Sequence, residues 1–444
     1  MSIADPAAGV PASVFQDRRR TVFEALGAGA MVLPSAVQHL KSRDSELPYR
    51  PDSELFYVSG VSEPGSVAVL LGGDEPRFAL FVRARDPDVE LWSGPQLGPD
   101  AAADRFGADE VHPMSELSRR LPDLLHSADR IYYRLGRHTE VEAVVSGALA
   151  RARSRGPRTG TGPRALVDPG EILDEMRLRK DLHEIERLRQ AAVLSVEGHR
   201  TGMAAAGPGV GEWMVEAEVN ATFRRGGGSG PAYETIVGSG PNACVLHYVT
   251  NSRVMEEGDL VLLDAGAERA LYAGDITRTF PVSGRFTPAQ RDLYEVVDRA
   301  RAESVAMVRP GTTIGAVHDR ALRILVDGMV QLGVLSGDAD ELIETGAYRA
   351  FYPHQTSHWL GLDVHDPGDY ARRGASRTLE PGMVFTVEPG LYVRPDAEGG
   401  AAAFAGTGIR VEDDVLVTED GCENLTGALP TAPADVEAMV GART

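Results

Sequence analysis

Residues 259–280 read DLVLLDAGAERALYAGDITRTF, two apolar runs of strand composition with an aspartate planted in each. They flank a short polar stretch, Glu268–Arg269, and so predict a hairpin. A turn centred between Arg269 and Ala270 sets Asp264 and Asp275 across the ladder from each other. Like charges opposed in a sheet are destabilising, and two carboxylates side by side in an apolar setting resist joint ionisation. A cation between them resolves both problems, and a divalent metal is the simplest one. The competing reading leaves one aspartate exposed or in the turn.

The same constraint recurs further on. Residues 383–388 (MVFTVE) and 409–415 (IRVEDDV) alternate as strands and carry Glu388 and Glu412, whose midpoint, Gly400, falls in the Gly399-Gly400 pair of a connecting loop. Between the two hairpins, residues 352–366 hold His354, His358 and His365. His354 and His358 have the i, i+4 spacing of a zinc-protease helix, but Gln355 stands where that motif needs glutamate, so the motif is excluded. A single histidine is more often structural than a ligand; three so close together, beside Trp359, keep the ligand reading open. Four carboxylates and one imidazole form a hard, oxygen-rich donor set that suits Mn²⁺ better than closed tetrahedral zinc. Their charge balances two divalent ions, and two-metal sites hold the ions roughly 3.5–4 Å apart and supply hydroxide at neutral pH.

A chain of 444 residues predicts two or three domains. Its formal net charge of -20 argues against nucleic acid and anionic lipid as partners. The two cysteines, Cys244 and Cys422, exclude a disulfide framework and suit a reducing compartment. Residues 1–20 lack the pattern of a cleaved leader, and no run reaches the length of a membrane span, so the expectation is a soluble cytoplasmic protein.

Strand-like runs at Ala30–Leu33, Ser66–Leu71, Phe78–Val82 and Arg130–Arg134 alternate with helical patterns, which predicts an α/β domain. Residues 151–164 (RARSRGPRTGTGPR) lack an apolar period and read as a linker or exposed loop. Helices are expected from Leu182 onward, over Glu212–Arg224, and from Pro288, where Thr287 and Gln290 spell a capping box. With strands in 233–282 and 383–418, the second domain reads as α+β. The Gly-rich run 226–230 lacks a following Gly-Lys-Ser/Thr and reads as a flexible turn, not a phosphate loop.

These segments, together with YETIVGSGPNACVLHY, SHWLGLDVHDPG, LEPGMVFTVEPGLYV and GIRVEDDVLVT, resemble the Xaa-Pro aminopeptidase (aminopeptidase P) family of pita-bread metallopeptidases. The resemblance extends to the first domain through DSELPYRPDSELFYVSGV and ELWSGPQLGPDAA. It implies an α/β N-terminal domain over residues 1–175 and an α+β pita-bread catalytic domain over 176–444. It implies two divalent ions, Mn²⁺ by preference, held by Asp264, Asp275, His358, Glu388 and Glu412, with Asp275 and Glu412 bridging. Glu388 would transfer the proton of the attacking, metal-bridging hydroxide. His247 and His354 would orient the scissile carbonyl, His365 would stabilise the tetrahedral intermediate, and Arg410 would hold the carboxylates or the substrate. Tyr233, Tyr392, Trp92 and Asp44 would bind substrate, the last two completing the pocket, in one reading from a neighbouring subunit. The expected substrates are peptides beginning Xaa-Pro, and the expected assembly is a homo-oligomer, a dimer or tetramer. Gln355, where the family commonly has glycine, bears on substrate preference more than on metal binding. A prolidase limited to dipeptides, with or without phosphotriesterase side activity, would share the ligand set. Methionine aminopeptidases normally lack so long a first domain, and non-catalytic pita-bread modules generally lose the ligands.

Overall fold

The computed structural model describes residues 5–441. The outermost residues of the two expected domains, 1–4 and 442–444, lie outside the described residues. The chain divides into two compact units between Met176 and Arg177.

The first unit is built on a six-stranded mixed sheet, in the order Glu110–Pro113, Arg77–Val82, Val67–Leu71, Ala30–Pro34, Arg130–Tyr132 and Ala165–Val167. Ala30–Pro34 runs antiparallel to Val67–Leu71 and parallel to Arg130–Tyr132. Strands buried on both faces read as continuous apolar runs, and Val67–Leu71 (VAVLL) is buried along its whole length. Val141, Val145 and Ala148 of the helix Thr139–Thr159 pack into the same core. That helix corrects the linker reading of residues 151–164. Arg, Ala and Ser carry it without an apolar stripe through Arg151–Thr159, and Gly160, at φ 72°, ends it.

In the second unit the long helices Leu182–Ala205, Glu212–Arg225, Pro288–Ala306 and Ile314–Gln331 pack against short antiparallel sheets. Their starts are set locally. Asp181 and Glu184 form a reciprocal capping box, as do Thr287 and Gln290, where Pro288 supplies the preset φ of a first helical residue. Apolar faces of these helices, including Val215, Val219, Phe223 and Leu325, close over Leu263 and Phe280 of the sheet. Each such buried side chain contributes about 1.5–3 kcal/mol.

Two registers place the acids. The first hairpin turns one residue later than its polar stretch suggests. Arg269 pairs with Tyr272, and the loop is Ala270-Leu271, with φ of 50° and 72°. Two central residues at positive φ match the right-handed twist of a two-residue hairpin. Moving the turn slides the register, so Asp264 faces Thr277, and Asp275 lies diagonal to Asp264 instead of directly opposite. The second pair of strands is interrupted. Val384–Val387 pairs with Asp413–Val417, and Gly390–Val393 with Thr407–Arg410. Both segments keep one register, which leaves Glu388 and Glu412 opposed in the gap between them.

Candidate metal centre

Each acid arrives from a different backbone feature. Asp264 ends a buried strand, and Asp275 sits just before Thr277–Pro281. Glu412 is held where the ladder breaks: its N–H donates to Thr277 O at 3.0 Å, and its carbonyl accepts from Arg278 at 2.6 Å. Glu388 N–H donates to Thr356 O at 2.8 Å, tying it to the segment that carries the histidines. A Thr386 N–H to His358 O bond of 2.9 Å and a His358 N–H to Thr386 Oγ1 bond of 3.1 Å fix the imidazole's backbone.

The side chains converge. One ligand atom each from Asp275, His358 and Glu412 lie within 4.8 Å of one another. His358 Nε2 is 3.3 Å from Asp275 and 3.6 Å from Glu388. The Tyr233 hydroxyl sits between the two aspartates, 2.6 Å from Asp264 and 2.5 Å from Asp275. Arg410 contacts the other oxygen of Asp264 and donates to Tyr392 Oη at 2.8 Å and Thr277 Oγ1 at 3.1 Å. Thr277 in turn donates to Glu412 at 2.6 Å.

Burial dominates the electrostatics. It raises the Asp264 carboxyl, with Arg410 opposing and Asp275 reinforcing. Glu412 is raised by burial and then by Asp275, Glu388 and Asp264. Burial brings Glu388 to about 7 against the pull of His358 and Arg410. For His358 burial works against the charged form, yet the bond to Asp275 and the charge of Glu388 lift it to about 9. Burial thus works against the ionised forms of Asp264, Glu388 and Glu412. A divalent cation fits the deficit, because it would stabilise the carboxylates that now repel each other, and the donors are hard oxygens with one imidazole.

The site opens into a cavity of about 550 Å³. His247, His354 and His365 line it, beside Tyr233 and the acids. His354 Nε2 is 2.9 Å from Tyr392 Oη, and burial, then Arg410, lowers its pKa to about 3, so it is neutral at physiological pH. The His365 ring stands edge-on to His358, with centroids 4.5 Å apart. Gln355 and Ser357 also face the cavity. Trp92 and Asp44 belong to the first unit, where both are exposed, Trp92 to 88%.

Sequence reasoning missed the supports. Asp414 Oδ2 accepts the Asp275 N–H at 3.1 Å. Asp413 points the other way, onto Arg278 at 2.8 Å and Arg301 at 2.7 Å. Three consecutive acids in an apolar strand were the signal: alternation sends Glu412 and Asp414 to one face and Asp413 to the other, so both faces need partners.

Residues 186–419 match metallopeptidase family M24, and residues 15–132 match the aminopeptidase P N-terminal domain. The chain is 45% identical over 433 residues to the Xaa-Pro aminopeptidase of Escherichia coli K12, covering 97% of this chain and 98% of that protein. It is 33% identical over 417 residues to Xaa-Pro aminopeptidase 3 of Homo sapiens, covering 92% and 80%. The structure of proline aminopeptidase P II from Yersinia pestis superposes with a TM-score of 0.94 at 42% identity, covering 98% of this chain and 100% of that one. A zinc-substituted E. coli aminopeptidase P in complex with product gives 0.93 at 44% identity, covering 98% and 99%.

Proposed function

The chain belongs to metallopeptidase family M24, with an aminopeptidase P N-terminal domain before a pita-bread catalytic domain, and from that premise we propose that it removes the residue preceding an N-terminal proline. We take residues 1–175 and 176–444 as the two domains. The observation that carries the reading is the convergence of Asp275, His358 and Glu412. In this reading Asp264, Asp275, His358, Glu388 and Glu412 would hold two divalent cations. When bound, such a pair supplies Lewis acidity toward the carbonyl and lowers the pKa of water, so that hydroxide is available at neutral pH.

The chain's own residues do the rest. Glu388, which lines the cavity beside His358, would take the proton of the attacking water and pass it to the departing nitrogen. That nitrogen is tertiary in an Xaa-Pro bond, so it must gain a proton before it leaves as an amine. His354 and His247 would orient the scissile carbonyl and His365 would donate to its developing charge; all three line the cavity. Arg410, at the cavity wall, anchors Asp264 and Tyr392. Neutral His354 spends its one N–H, on Nδ1, on Gln355 O at 2.7 Å, which leaves Nε2 to accept from the Tyr392 hydroxyl at 2.9 Å.

Mn²⁺ as the metal, a homo-oligomeric assembly and a cytoplasmic location belong to the same proposal. Both cysteines are free, and among the described residues no helix is long and apolar enough to cross a membrane. Stripping the protein with chelator and restoring Mn²⁺ tests the reading. Metal-dependent cleavage of an Xaa-Pro-Yaa tripeptide, with Xaa-Ala-Yaa intact, is the expected result. Cleavage of the Xaa-Pro dipeptide alone would make the protein a prolidase, and cleavage of neither would overturn the substrate assignment.

A further inference from the structure

The wall of the cavity that carries His247 has little regular structure of its own. After the strand Ile236–Ser239 and the short 3-10 helix Gly240–Cys244, the chain runs irregularly through residue 253. Leu246, His247 and Val249 of this stretch face the cavity. A loop without a ladder does not hold a side chain to the tolerance a binding site needs; that takes packing and hydrogen bonds from behind.

One carboxylate supplies them. Glu212 opens the helix Glu212–Arg225 and is 0% exposed. Its Oε1 accepts from Ser239 N at 2.7 Å, from Ser239 Oγ at 2.7 Å and from Asn242 Nδ2 at 3.2 Å. Its Oε2 accepts from the Tyr248 hydroxyl at 2.9 Å and from Arg253 N at 2.8 Å. These bonds reach the start, the middle and the end of the wall. Tyr248, flanked by His247 and Val249, turns back onto Glu212 while its neighbours turn to the cavity. The backbone closes the arrangement: Glu212 N–H donates to Arg253 O at 2.9 Å, and Gly211 bridges to Val254. Bonds to a charged acceptor are about twice as strong as neutral ones, and five donors saturate a carboxylate.

We infer that Glu212 is a positioning residue for substrate: through Ser239, Asn242, Tyr248 and Arg253 it sets where His247, Leu246 and Val249 meet a bound peptide. It touches neither the peptide nor the metal donors. The inference rests on the peptidase reading of the cavity and adds to it a residue that acts from outside the cavity.

Glu212→Gln keeps the shape but turns an N–H₂ toward donors on one side. kcat/KM for an Xaa-Pro-Yaa tripeptide is expected to fall roughly ten-fold, with KM raised and bound metal unchanged. Tyr248→Phe, which removes one donor and leaves the carboxylate, moves KM the same way by less and carries the test if the glutamine variant does not fold. In a His247→Ala background Glu212→Gln is expected to add less than about two-fold, since both changes act through one wall. Fully additive losses, or a fall in kcat with KM unmoved, would overturn the inference. Hydrogen exchange on metal-free protein gives a readout without turnover: amides of residues 240–253 should exchange faster in Glu212→Gln while Leu260–Asp264 stays protected. If the wild type cleaves no Xaa-Pro peptide, the peptidase reading fails, and the exchange result alone decides whether Glu212 holds the wall. Unchanged exchange overturns it in either case.

Discussion

Asp414 sits two residues beyond Glu412, on the same side of the strand, and its Oδ2 receives the backbone N–H of Asp275. Its other oxygen is buried with no partner among the described residues. Burial, and then Asp275, push the Asp414 carboxyl well above its usual range. Asp414→Asn keeps the volume but can set an N–H₂ against the Asp275 N–H, so metal affinity and kcat/KM should each fall roughly 10–100-fold, as metal titration and steady-state kinetics would read. Asp413 is the contrary case. Burial opposes its charge, but Arg278 and Arg301 hold its carboxyl well below the usual range. Arg278 is itself fully buried and also binds the carbonyls of Thr277, Glu412 and Leu429. Arg278→Met breaks that pairing and should cost about 3–5 kcal/mol, measured by urea unfolding of metal-free protein. Sequence alone marked Glu412 and Arg410 but not these neighbours. A run of three acids does not say which face each one takes until the strand's alternation is tied to a particular partner strand.

The helix start at Thr287 was the most legible element, because its capping box is complete within four residues of chain; the matching box at Asp181 went unread, and that helix was marked by its apolar spacing. The turn of the first hairpin was not legible. Asn-Gly or Asp-Gly is the usual signal for a two-residue loop at positive φ, and here the pair is Ala270-Leu271. Alanine in the left-handed region costs about 1–2 kcal/mol, a cost asparagine largely avoids. Ala270→Asn should therefore raise stability by about 1 kcal/mol, seen as a higher urea midpoint with an unchanged slope. The misread stretch 151–164 teaches the converse. Its arginines and alanines are sound helix formers, but most of them pack against nothing, so no period marked the helix.

For the molecule as a whole, His199 ties stability to pH. It is 0% exposed, and its Nε2–H donates to Ala265 O at 3.0 Å. Burial first, and then Arg278, lowers its pKa to about 3. In the unfolded chain a histidine titrates near 6.5, so as pH falls the unfolded state takes the proton first. The stabilising contribution is complete above about pH 6.5 and drains away as pH falls toward about 3, amounting to about 2–3 kcal/mol by pH 4.5. His199→Gln should flatten that part of the pH dependence, which urea midpoints between pH 7 and pH 4.5 would show. The broken ladder that opposes Glu388 to Glu412 has a further consequence, in time and not in space. Asp264 and Asp275 leave the ribosome well before the segment bearing Glu388 and Glu412 is made. With the proposed ligand set, a half-synthesised chain would carry one jaw of a clamp and could not close it. Ion capture would then belong to the finished polypeptide, and a message cut between the two hairpins would yield an acidic fragment that competes poorly for the same ions.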